Sequence, residues 1–116
     1  MMIPELFVKA ILDDVLDSNV RFYRKTLEKP DGATDPYWLA ISEFYARSTP
    51  ADRELLVRMM QQAVIDTISN LFGVLDGSST LEGFGEDFVL RYGKRPGKLN
   101  GDLQDLFLAE IEERGL

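Results

Sequence analysis

Everything else in this chain has to accommodate the stretch from Thr49 to Gly77. Thr49 is a natural N-cap, because its hydroxyl can accept an orphan amide from the first turn. Pro50 suits the first helical position, and Asp52 and Glu54 place negative charge at the positive end of the helix dipole. Apolar residues then recur at Leu56, Met60, Ala63, Val64, Thr67, Ile68, Leu71, Phe72 and Leu75, with Leu55 and Met59 widening the stripe at its start. The spacing predicts a helix over about 50–76. Its apolar face is broader than a surface helix needs, so the expectation is a central strut buried on most sides. Asp76-Gly77 stops it, glycine being free to take the left-handed conformation after the last turn.

Helix 1 is expected from Pro4 to about Glu28 or Lys29. One apolar stripe (Leu12, Leu16, Val20, Tyr23, Leu27) is offset from another (Ile3, Phe7, Ala10, Ile11). A stripe that shifts midway predicts a bend near Asp17-Ser18-Asn19, or two shorter helices. Lys29-Pro30-Asp31-Gly32 is turn chemistry. Asp35 caps a second helix that opens on Pro36, carries Tyr37, Trp38, Ile41, Phe44 and Tyr45, and ends near Arg47. Beyond Gly77, Asp87 to Tyr92 alternates with period two, and Gly93–Gly97 is a turn. Together with Lys98-Leu99 this predicts a small β-hairpin over about 87–99. Asn100 or Asp102 is expected to cap a last helix carrying Leu103, Leu106, Phe107 and Ile111. The fold class is therefore mainly α: a single helix-rich domain over 1–116, with four to five helices around the central one and one hairpin before the last.

Composition narrows the chemistry. The chain has no Cys and no His, which removes thiol nucleophiles, imidazole bases and the usual zinc ligands. No catalytic, cofactor or metal residue is expected, and the expected role is non-enzymatic. A formal charge of −7 disfavours nucleic acid and favours a basic partner or plain solubility. No apolar run is long enough to span a bilayer, and the N-terminus lacks a basic region followed by an apolar block. A cytoplasmic location without membrane partners is the expectation.

Four groups of residues are candidates for function. Tyr37, Trp38 and Tyr45 bring large apolar surface to a short helix and are expected at an interface with a protein partner or a second copy. Arg58, Gln62, Asp66 and Asn70 form a polar line, each four residues after the last. If Asp66 is buried it must be paired or carry a raised pKa; otherwise the line is a solvated strip. Arg91, Lys94, Arg95 and Lys98 make a basic patch, suited either to an anionic surface or to internal pairing with Asp102, Asp105 or Glu110. Asp13, Asp14 and Asp17 place carboxylates on one helix face, where a hard cation or carboxylate catalysis with Asp66 is the competing reading.

Between residues 65 and 113, Ile65-Asp66-Thr67-Ile68, Leu71–Gly77, Phe88–Tyr92 and Leu99–Phe107 resemble small acidic bacterial proteins of unassigned function. Some comparable proteins are immunity proteins, which neutralise a toxin domain by binding it. The resemblance implies a binding role and supplies no catalytic residue.

Overall fold

The computed structural model describes residues 3–28 and 35–116. The turn expected at Lys29–Gly32 lies outside the described residues. Helix α1 (Ile3–Ile11) runs without a break through a π-helical segment, Leu12–Asp17, into α2 (Ser18–Glu28). This is why the apolar stripe shifts. In an α-helix each step of four residues rotates a side chain by about 40°, so Val8, Leu12 and Leu16 would drift round the surface. The wider π turn takes up that drift, and all three are fully buried. The helix is therefore one rod, with its irregularity just before Ser18.

Helix α3 (Pro36–Ala46) starts where expected: the Asp35 carboxylate accepts the Tyr37 N–H at 3.0 Å, and Pro36 holds the first position. Helix α4 (Pro50–Asp76) is capped by Thr49, whose Oγ1 accepts the Asp52 N–H at 3.1 Å. It ends on Gly77, at φ 87° in the left-handed region. Helix α5 (Leu103–Glu113) closes the chain. No described helix is long and apolar enough to cross a membrane.

The mainly α class holds, and two parts of the expected architecture do not. The first is the central strut buried on most sides. At about 1.5 Å per residue α4 is roughly 40 Å long, and the other helices gather at two stations along one side of it. Near its C-terminal half, Ile65 and Phe72 join Val8, Leu12, Leu16, Leu103, Phe107 and Ile111 in the larger core. Near its N-terminal end, Val57 joins Leu27 and Tyr45 in a smaller one. Val20 borders both. The result is an elongated molecule, 51 × 34 × 24 Å, with a radius of gyration of 17.6 Å. A compact domain of this length has one of about 13 Å.

The second correction is the hairpin. Among the described residues there is no strand. Segment 87–99 is an extended loop, closed by a bond from the Leu99 N–H to the Leu90 carbonyl at 2.6 Å. The reason is Asn100, which is almost fully buried. Its Oδ1 accepts the Leu90 N–H at 2.8 Å, and its Nδ2 donates to the Phe88 carbonyl at 2.8 Å and to the Leu75 carbonyl. One side chain satisfies backbone groups that a partner strand would otherwise take. Phe88 and Leu90 are half-buried, but Tyr92 is 62 % exposed, so the alternation does not mark a half-buried strand.

Candidate protein-interaction face

Seen down its axis, α4 presents four rows of side chains, each stepping by four residues. One row, Arg53, Val57, Gln61, Ile65, Ser69 and Gly73, is buried or half-buried against the other helices. The next, Leu56, Met60, Val64, Ile68 and Phe72, borders both cores. A third, Arg58, Gln62, Asp66 and Asn70, is exposed. The fourth row is the unexpected one. Leu55, Met59, Ala63, Thr67 and Leu71 form an apolar ridge that is exposed from end to end, with Leu55 at 62 % and Met59 at 64 %.

Beside the ridge lies a groove of about 650 Å³. Met60, Ala63, Val64, Thr67 and Ile68 of α4 line it together with Val15, Asn19 and Tyr23 of the long N-terminal rod. Tyr37 and Trp38 of α3 complete it. None of these side chains carries a charge at neutral pH, in a chain whose formal charge is −7. Trp38 is held by an aromatic cluster: it stacks on Tyr23 at 6.0 Å and meets Phe22 and Tyr37 edge-on at 6.2 and 5.4 Å. Such packing fixes the rings in place, and a rigid aromatic loses little entropy on binding.

The expected aromatic trio is therefore split. Tyr37 is 63 % exposed and Trp38 half-buried in the groove, but Tyr45 is only 6 % exposed and belongs to the smaller core. Tyr45 sits eight residues from Tyr37, about 80° further round the helix, and so faces inward. Its hydroxyl donates to Glu28 at 3.4 Å, and the Arg53 guanidinium lies 5.2 Å from its ring centre. Burial, helped by the Glu28 charge, raises the Tyr45 pKa above the ordinary tyrosine value.

The polar line is a solvated strip. Asp66 is exposed and accepts a bond from Gln62 Nε2 at 2.9 Å, one turn back on the same helix. Two of the acidic trio on the N-terminal rod, Asp13 and Asp17, are engaged elsewhere, and Asp14 is exposed. Arg114, the residue that follows α5, reaches Asp13 at 2.8 Å and Asp17 at 3.9 Å, and Asp13 raises the Arg114 pKa. Among the described residues, no cluster of three or more acidic side chains is placed to hold a metal ion. The basic patch is exposed on the loop, and none of its four cations pairs with a described carboxylate. Glu110, one expected partner, bridges Lys9 and Arg114 instead. Arg95 lies over the Tyr92 ring at 5.4 Å.

Sequence reasoning also missed a polar clamp at the end of α4. Asp76 accepts the backbone N–H groups of Gly101 and Gln104 at 2.7 and 2.8 Å. Gln104 in turn donates to the Ser69 carbonyl at 3.0 Å and accepts from the Ser78 hydroxyl at 3.2 Å. With Asn100, these groups fix α5 to α4 and hold the larger core closed at one end. Their signal in the sequence is only an Asp before a helix-stopping glycine and an Asn before another glycine. The partners on α4 lie 25 or more residues from the groups of α5 and its approach that they bind.

The chain matches no protein-family model, no curated protein and no solved structure.

Proposed function

We propose that this chain is a non-enzymatic, helical protein-interaction domain whose binding face is the α4 ridge and its adjoining groove. One observation carries the reading: an uncharged apolar face on a chain of net charge −7. Specific interfaces show this distribution, with charge depleted at the centre, aromatic anchors within it and charge at the rim. An exposed apolar helix face beside a groove is the form in which one helix receives another. Tyr37 and Trp38 are the anchors.

The immunity-type reading assigns the protein a basic toxin domain as partner, and the acidic charge supports it. The uncharged lining favours an apolar helical surface at the centre of contact, with charge acting on encounter. Carboxylate catalysis or metal binding has less support. Asp66 is solvated, while Asp13 and Asp17 are engaged by Arg114.

Photo-crosslinking tests the reading. Benzoylphenylalanine in place of Tyr37 is expected to give discrete protein adducts on irradiation in cells, while the same group in place of Ser79, exposed beyond α4, gives few. Equal, diffuse labelling at both positions overturns it.

A further inference from the structure

We infer that the occupant of this face is a second copy of the chain, paired through α4 about a two-fold axis at Ala63. The inference rests on the interaction-domain reading and names its partner. Four observations carry it.

The first is area. The chain exposes 8282 Å². A folded monomer of its mass exposes about 6,400 Å². The excess is shared between the exposed loop that follows α4 and the α4 face, and it is more than the roughly 800 Å² that each partner buries in a standard interface.

The second is symmetry. The ridge reads Leu55, Met59, Ala63, Thr67, Leu71. It is centred on its smallest residue, with leucines at both ends. In an antiparallel pair crossing at Ala63, each Leu55 meets the partner's Leu71, and the alanines let the backbones approach. An isologous interface demands this self-complementarity.

Thr67 supplies the third. Its hydroxyl donates to the Ala63 carbonyl at 2.7 Å, so the side chain is satisfied within its own helix and can be covered without desolvating an unpaired donor.

The fourth is charge. Arg58 and Asp66 are exposed on the row beside the ridge, on opposite sides of Ala63. The two-fold sets Arg58 of one copy opposite Ile68 of the other, and repeats the contact. Ile68 is two residues, or about 3 Å along the axis, from that copy's Asp66 and on the same side of the seam, within reach of the long arginine side chain. The seam itself therefore carries complementary rather than like charge.

Sedimentation equilibrium on the full chain tests the inference. A dimer is expected, with Ala63→Arg giving a folded monomer by circular dichroism. Arg58→Asp alone should weaken the dimer by about ten-fold, since it sets like charges face to face twice. Arg58→Asp combined with Asp66→Arg should restore it to within about three-fold, because the swap rebuilds both pairs. A protein monomeric at several hundred micromolar overturns self-pairing. So does a dimer indifferent to Ala63→Arg. In either case, adducts from the Tyr37 crosslinker with another protein leave the interaction-domain reading standing; if the crosslinker also fails, both fall.

Discussion

The carboxylate of Asp76, the last residue of α4, caps α5, with Oδ2 accepting the Gln104 N–H at 2.8 Å. Helix α5 has its own acidic residue in the cap position, Asp102, yet that side chain makes no capping bond. A charge poorly placed at the C-terminus of one helix is thus well placed at the N-terminus of another. It follows that Asp76→Ala should destabilise the fold by about 1–3 kcal/mol, while Asp102→Ala should cost less than about 0.5 kcal/mol. Urea unfolding of the two variants distinguishes them; equal costs contradict the assignment.

Asn100 gives a sharper chemical test. Its amide group donates to two carbonyls and its oxygen accepts one N–H, so Asp in its place removes the donors and sets a carboxylate against two carbonyl oxygens. Asn100→Asp is expected to cost about 2–4 kcal/mol in urea unfolding at neutral pH. The cost should shrink as the pH falls and the new carboxyl protonates.

Gly73 lies inside α4, where alanine would ordinarily stabilise. A Cβ there would meet the Gln104 side chain at 3.0–3.2 Å, and Gln104 is held by Ser69 and Ser78. Gly73→Ala should therefore destabilise the wild type. In a Gln104→Ala background the clash is gone, and the same change should stabilise by about 0.5–1 kcal/mol. Thermal melts of the four proteins in this cycle check the reversal of sign.

How much of this was legible beforehand depends on the range of the interaction. Caps are local, and Asp35, Thr49 and Gly77 act as their sequence positions imply. The π segment leaves only an offset between two stripes, which a bend or a break would also produce. Alternation over 87–92 suits an extended loop as well as a strand, and Asn100 decides between them from outside the window. The ridge departs from expectation for a different reason. Helical spacing shows that Leu55, Met59 and Leu71 share a face, but not whether this chain or another covers it. Tyr45 and Tyr37 likewise carry the same chemistry, and only the helix's placement on α2 sends one inward.

Tyr45 links the smaller core to pH. Its pKa is raised in the folded state, chiefly by burial and then by Glu28. The protonated form is the one the fold favours, so the stability it contributes is intact below the unfolded tyrosine pKa. That stability is lost as pH rises through the higher folded value. Spectrophotometric titration should show a late step, with Tyr45 ionising above the ordinary tyrosine value. Tyr45→Phe should remove that late step while keeping the ring in the core.

The pairing of α4 with its copy is the central claim, and the absence of cysteine makes it directly measurable. Helix axes about 9–10 Å apart, with Cα atoms about 2.3 Å off each axis, leave facing Cα atoms about 4.4–5.4 Å apart, within the roughly 4.4–6.8 Å that a disulfide spans. A single Ala63→Cys variant should therefore form a covalent dimer rapidly under mild oxidation at micromolar concentration. Leu55→Cys, which faces Leu71 of the other copy, should not crosslink to itself, but should do so when mixed with Leu71→Cys. If Ala63→Cys crosslinks no faster than the exposed control Ser79→Cys, α4 does not pair about Ala63.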